Sequence, residues 1–333
     1  MDQSSAKRTA ADELSSSRSV AIFIVAIVFT LTSTTSVVLR IVAKHMNRTK
    51  LLAEDYVIFV AQALLYGMGV AVMLEIFLGS AGHHANEIPP SHVTNFLKVL
   101  VAMQAFYGST LSLIKTSICL FYSRIFFVRT FRIAAWVTIG FILSWGVMVI
   151  LTAFLLCTPL AFNWDQTIPG GRCANQKATF LAVGTLDLIT DVCVFVLPLP
   201  MIYKLKVSKG NRVALFGIFG LGILTMIISI LRIQSLMETD YTDITYSAAY
   251  PLMWSFLEPA LGITVACGPL LGPLVRRFRY FRQVSKVRRL EASEETMPFG
   301  RTTDTDPGTS RKAGQITVQT QWEMNEMRVS GAT

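Results

Sequence analysis

The chain has 333 residues, 52% of them hydrophobic and only 15% charged, with 30 Lys and Arg against 21 Asp and Glu for a net charge of +9. Soluble domains carry about 25% charged residues, so a charge-poor chain of long apolar runs has a membrane composition, which excludes one or two ordinary soluble domains. The basic excess lies in short segments beside the apolar runs, the bias of inner loops and not the concentrated patch that a nucleic-acid partner needs.

The first residues, 1–19, are polar and mixed in charge, too long and too acidic for the leading part of a signal peptide. The apolar run that follows is therefore read as a true span. Seven segments can each cover the roughly 20 residues a bilayer demands: 20–39, 56–79, 96–127, 133–157, 178–203, 213–236 and 247–275. The third is long for one crossing, so its end is expected to project from the membrane as helix. No soluble repeat and no inverted pair of broken helices stands out. The fold class is an all-α membrane protein, a seven-transmembrane helix bundle.

Loop charges orient it. Arg40, Lys44, Arg48 and Lys50 follow the first span, Arg124, Arg129 and Arg132 the third, and Lys204, Lys206, Lys209 and Arg212 the fifth. The loops after the second and sixth spans contain no lysine or arginine. The positive-inside rule then predicts an external N-terminus and a cytoplasmic C-terminus. Asn47-Arg48-Thr49 is a glycosylation sequon on the inner side in this topology and is expected to stay unmodified. Cys157 and Cys173 fall on the oxidising side, where a disulfide worth about 2–4 kcal/mol is expected, the alternative being two free thiols. Cys119, Cys193 and Cys267 lie in spans as packing residues. No cysteine or histidine spacing suggests a metal.

Residues 276–290, RRFRYFRQVSKVRRL, repeat Phe278, Phe281, Val284 and Val287 among basic residues. They suit a basic amphipathic juxtamembrane helix on the anionic inner leaflet. Residues 291–333 read as a disordered cytoplasmic tail.

Charges inside spans carry the functional reading, because each costs roughly 2.5–3.5 kcal/mol at the bilayer centre unless partnered. Glu75 and Lys98 lie near span ends and are expected to snorkel. Lys115 sits in the interior of the third span among Gly108, Ser109, Ser112 and Ser117, which permit close helix packing. Asp187 and Asp191 are four apart, hence on one face of the fifth span, and Trp254 and Glu258 share a face of the seventh beside Pro259. Lys115, Asp187, Asp191, Trp254 and Glu258 are the candidates for a polar core or ligand pocket, with Lys115 pairing at least one acid. Arg232, near the outer end of the sixth span, is expected to pair with the acidic loop of Glu238, Asp240 and Asp243, with Asp243 the candidate partner. A structural ion-pair network and a ligand-binding or catalytic role weigh equally here, and no catalytic residue is assigned.

Ordered together, several short motifs resemble a known family. They are Glu54-Asp55-Tyr56, Gly82-His83, Lys115-Thr116-Ser117 with Phe121-Tyr122-Ser123-Arg124, the Cys157…Trp164…Cys173 loop, Leu186-Asp187 through Pro198-Leu199-Pro200, Asp243-x-Thr245-Tyr246 and Trp254…Glu258. From about residue 20 to 289 the chain resembles the fungal rhodopsin-like domain family, which includes Pth-type receptor-like proteins and membrane proteins of satratoxin-type toxin clusters. It departs from the family in having no cysteine-rich module before the first span, and in Glu54-Asp55-Tyr56 where two aspartates and a tryptophan are usual. The resemblance implies a receptor-like sensor, or a membrane component of secondary-metabolite biosynthesis.

Retinal is not expected despite the family's name, because the last span, 247–275, has no lysine for a Schiff base and Lys115 is in the third. Against a receptor, the third span ends Tyr122-Ser123-Arg124 and not Asp-Arg-Tyr, and the seventh lacks Asn-Pro-x-x-Tyr. A membrane-embedded enzyme, such as a cyclase using Asp191 or Glu258 as general acid, is the alternative, although no Asp-Asp-x-x-Asp motif is present. Transport is weaker, for want of a two-halved build. Expected partners are the lipid bilayer of a plasma membrane or endomembrane, a small lipophilic ligand or metabolite, and a cytoplasmic signalling protein at the basic inner loops.

Overall fold

The computed structural model of the chain describes residues 16–204 and 209–268. Helices α1 (Ser17–Met46), α2 (Ala53–Phe77), α3 (Pro90–Ile125) and α4 (Arg129–Leu155) come first. A two-stranded hairpin of β1 (Cys157–Thr158) and β2 (Arg172–Cys173) follows, then α5 (Gln176–Val196) and the short α6 (Leu199–Lys204). Helix α7 (Lys209–Met237), a single turn α8 (Ile244–Ser247) and α9 (residues 249–268) complete the described chain.

Six of these segments are long and apolar enough to cross a membrane: α1 to α4, α5 continued to Met201, and α7. The seventh long helix, α9, is unbroken from 249 to 268 but carries Pro251, Glu258 and Pro259 within its apolar sequence, and its Leu252, Phe256, Ala260, Ile263, Ala266 and Cys267 belong to the same hydrophobic core as α1 to α4. Residues such as Leu31, Val70, Val137 and Leu155 are exposed on the outside. In a bundle made of spans, that apolar surface faces lipid.

Local chemistry sets the ends. Pro89 and Pro90 open α3, with Pro90 at the first helical position where no amide hydrogen is missed. Asn175 caps α5 by accepting from the Ala178 amide at 3.1 Å, and Asp55 accepts the Leu52 amide at 2.8 Å at the start of α2. Pro198 separates α5 from α6, so the expected fifth span is one helix and a short continuation. On α1, Thr30, Thr32, Thr34, Thr35 and Ser36 each donate a hydroxyl to the carbonyl four residues back. That satisfies them without water.

Small residues bring α3 and α4 together. A Cβ on Gly108 would lie 2.6 Å from Val149, and one on Gly146 would lie 2.8 Å from the Ser112 hydroxyl. This is the close approach that glycine allows in apolar surroundings. The expected disulfide is present: Cys157 and Cys173 are bonded and face each other across the antiparallel hairpin.

One boundary differs from the sequence reading in a way that matters. Helix α1 runs to Met46 instead of ending near residue 39, so Arg40 and Lys44 belong to the helix. Both are buried, on Asp55 of α2: Arg40 Nε at 2.8 Å from one carboxylate oxygen and Lys44 Nζ on the other. Arg40 also donates to the Ala266 carbonyl at 2.8 Å, which ties α1 to α9. Only Arg48 and Lys50 of the four basic residues remain in the loop. The segments 1–15, 276–290 and 291–333 lie outside the described residues, as does the end of the seventh span from residue 269.

Candidate functional site

Four helices send polar side chains to one level of the bundle. Helix α3 contributes Tyr107 and Lys115, eight residues apart and so on one face. Helix α5 contributes Asp187, Thr190 and Asp191, α7 contributes Ser229 and Arg232, and α9 contributes Glu258. All but Asp191 are buried, and the Asp191 side chain is 12% exposed. The sequence reading expects Lys115 to pair with at least one of Asp187, Asp191 and Glu258, and its ion-pair partners here are Asp187 and Asp191.

Lys115 Nζ lies 2.7 Å from Asp187 Oδ1 and 2.8 Å from Asp191 Oδ1. It also donates to Thr190 Oγ1 at 2.9 Å and the Asp187 carbonyl at 3.2 Å. The other Asp187 oxygen accepts from Tyr107 at 3.1 Å and faces Arg232 Nη2 at 3.5 Å. Tyr107 donates to Glu258 Oε2 at 2.7 Å. Arg232 Nε is 3.2 Å from the same oxygen, within ion-pair range but not aligned for a hydrogen bond. Its guanidinium stacks 4.5 Å over the Tyr107 ring. The Ser229 hydroxyl contacts Asp191 at 3.0 Å and also reaches Glu258.

Three acids and two bases thus form one connected layer with a formal charge of −1 when every group is ionised. Burying any one of these ions alone would cost several kcal/mol, and only the mutual pairing offsets it. The carboxylate oxygens of Asp187, Asp191 and Glu258 come within 4.8 Å of one another, close enough for a metal, but Lys115 and Arg232 already supply the positive charge between them.

The layer separates two cavities stacked along the same helices. One, of about 100 Å³, is lined by Met103, Tyr107, Val183, Arg232, Leu252 and Ser255 among others. The second, of about 80 Å³, is lined by Lys115, Asp191, Glu258, Tyr122, Thr225 and Gly262 among others. Along α3 the first set runs 100–107 and the second 111–122. Along α9 they run 251–255 and 258–265. Tyr107 and Arg232 therefore form the floor of the first cavity, and Lys115, Asp191 and Glu258 that of the second.

Three expectations are corrected. Arg232 does not pair with Asp243: it turns inward to Glu258 and Asp187. Asp243 instead holds His84 Nδ1 at 2.5 Å and accepts the Ala85 amide at 2.8 Å, because α8 folds the loop back over the 80–88 turn. Trp254 lines a different groove, with Arg18, Leu231, Tyr246 and Tyr250. Glu75 does not snorkel. It is buried, and neither carboxylate oxygen has a hydrogen-bond partner among the described residues. Tyr107, Thr190 and Ser229 went unremarked in the sequence because hydroxyl residues are common in such spans. Their signal was spacing, with Tyr107 in register with Lys115 and Ser229 three residues before Arg232.

The fungal rhodopsin domain model matches residues 39–277. Polyenoic acids biosynthesis gene cluster protein Ba17b of Metarhizium anisopliae is 28% identical over 75% of this chain and 72% of its own length. Satratoxin biosynthesis SC1 cluster protein 4 of Stachybotrys chartarum is 25% identical over 50% of this chain and 61% of its own. Receptor GIN3 of Arthrobotrys oligospora is 26% identical over 53% of this chain, and the match spans 43% of the receptor. No solved structure matches.

Proposed function

The chain belongs to the fungal rhodopsin domain family, and from that footing we propose that it is a multi-pass membrane protein holding a small lipophilic molecule against its charged layer, as a receptor-like sensor. The observation that carries this reading is the first cavity: apolar walls from the five helices α3, α4, α5, α7 and α9 over a floor of Arg232 and Tyr107. Ligand sites are built that way, with apolar lining for affinity and few polar groups for orientation. Its size suits a small molecule or one end of a longer one. The presence of a receptor among the similar proteins supports the sensing reading.

The orientation proposed places the N-terminus outside and the C-terminus in the cytoplasm. The basic loops then face a cytoplasmic signalling partner, in a plasma membrane or endomembrane. A second reading, a membrane component of a secondary-metabolite pathway, is favoured by similar proteins named for biosynthesis clusters. Catalysis by the intramembrane acids remains the enzyme alternative and is the weaker one, since each acid is engaged by Lys115, Arg232, Tyr107 or Ser229.

Retinal does not fit these residues. The described part of α9 has no lysine, and Lys115 is committed to Asp187, Asp191 and Thr190. The proposal assigns no light-driven chemistry.

The test is retention of a ligand by the purified full chain, read by mass spectrometry of extracted small molecules, against Ser255→Phe, which fills the first cavity. A compound held by the native protein and lost from an equally stable variant supports the reading. The same small-molecule complement in both would refute it.

A further inference from the structure

The hydroxyl groups of the charged layer face more acceptors than they have hydrogens. Ser229 has one O–H, yet its oxygen lies against Glu258 Oε1, Asp191 Oδ2 at 3.0 Å and the Thr225 carbonyl at 3.1 Å. Tyr107 also has one, against Asp187 at 3.1 Å and Glu258 at 2.7 Å. A carboxylate offers only acceptors, whereas a protonated acid offers a donor. One added proton meets the Ser229 shortage between its two carboxylates and leaves Tyr107 facing one ionised carboxylate, Asp187, instead of two. On Glu258 Oε1 it donates to Ser229 Oγ, and the Ser229 hydrogen is left for Asp191. The same proton cancels the layer's formal charge of −1.

Asp187 is not its seat, because Asp187 is held between Lys115 and Arg232 and also accepts from Tyr107. Glu258 and Asp191 remain, and Ser229 joins them. The groups facing Glu258 are Tyr107 and Lys115 from α3, Asp187 and Asp191 from α5, and Ser229 and Arg232 from α7.

We propose that Tyr107, Glu258, Ser229 and Asp191 form a proton relay across the charged layer, connecting the cavity floored by Tyr107 and Arg232 with the cavity floored by Asp191 and Lys115. In the central step the Glu258 O–H bond breaks as its proton bonds to Ser229 Oγ. The original Ser229 O–H bond breaks as that proton bonds to Asp191 Oδ2. Nothing else is consumed. Before the step the negative charge is on Asp191, beside Lys115 at 2.8 Å; after it, the charge is on Glu258, beside Arg232 at 3.2 Å. Each end state has its own buried cation, so neither leaves an unpaired ion. On the Tyr107 side, a hydronium ion in the first cavity gives its proton to the phenol oxygen as the phenol O–H bond breaks and that proton bonds to Glu258 Oε2; rotation of the carboxyl group then turns the proton toward Ser229. This relay does not depend on the ligand proposed above.

Glu75 is a second buried acid that could hold a proton, so the test is made in a Glu75→Gln background. Infrared spectroscopy of the purified full chain at neutral pH should show a protonated carboxylic acid band that moves to lower frequency in deuterium oxide. Glu258→Gln or Asp191→Asn should abolish or displace it, and Ser229→Ala should shift it. In vesicles under an imposed pH gradient, the background protein should dissipate the gradient, and Ser229→Ala, incorporated to the same level, should fall to the rate of protein-free vesicles. Absence of the band overturns the proposal. So does a band untouched by the Glu258 and Asp191 substitutions, or a proton flux equal with and without Ser229, since a fixed structural proton would give those results.

Discussion

Asp187 and Asp191 are one helical turn apart on α5 and share a partner, Lys115, yet their environments differ. Asp187 is fully buried between two cations, and Asp191 reaches one cation and one hydroxyl at the edge of the second cavity. Asp187→Asn should therefore be the costlier change, on the order of 3 kcal/mol, because it removes the carboxylate that Lys115 and Arg232 share and that accepts from Tyr107. Asp191→Asn should cost much less, because Lys115 keeps Asp187 and Thr190. Thermal unfolding of the two variants in the same detergent checks the order. Equal losses would mean the layer behaves as one undifferentiated network. The four charges Lys115, Asp187, Asp191 and Glu258 were legible in the sequence because an ion in an apolar run is expensive and must have a reason. The partner of Arg232 was not, since sequence distance favoured the nearby acidic loop, whereas the rotation of α7 decides which way the guanidinium points. Arg40 and Lys44 misled for a related reason: at the end of an apolar run a basic residue reads as a loop charge, and only Asp55 across the helix pair reveals a buried cluster.

At the scale of elements, the bundle depends on α3 approaching α4 closely enough to hold Tyr107 and Lys115 at the layer. Gly108→Leu places its side chain where Val149 stands. It should cost on the order of 1–3 kcal/mol by overpacking and loosen the first cavity as the helices separate; a melting temperature unchanged from the native protein would contradict that contact. The hairpin between α4 and α5 is pinned by Cys157 and Cys173. Replacing both with serine should lower stability by about 2–4 kcal/mol in the loop-closure model, seen as a matching drop in denaturant midpoint. Most spans were legible from apolar length alone. The break at Pro198 and the extension of α1 to Met46 were not, because apolar length does not distinguish helix that crosses from helix that turns or projects.

For the whole molecule, the proposed sidedness rests on the basic loops, and the buried roles of Arg40 and Lys44 leave Arg48 and Lys50 in the first of them without reversing the bias. Asn47 should accordingly carry no glycan when the chain is expressed in eukaryotic cells, and a glycosylated Asn47 would invert the topology. Purified protein mixed with retinal should show no new visible absorption band. The family was legible from short motifs in order; the role of the charged layer was not, because spacing names the groups but not what lies between them. The most direct test of that role compares cells with the intact chain, without it, and with Asp191→Asn or Glu258→Gln, following both metabolites and transcripts. The substitutions should reproduce the effect of deletion at normal protein level, as altered transcription with unchanged chemistry for a sensor, or as one accumulating intermediate for a pathway component. If deletion has an effect and both substitutions are silent, the layer is a structural network and the functional site lies elsewhere.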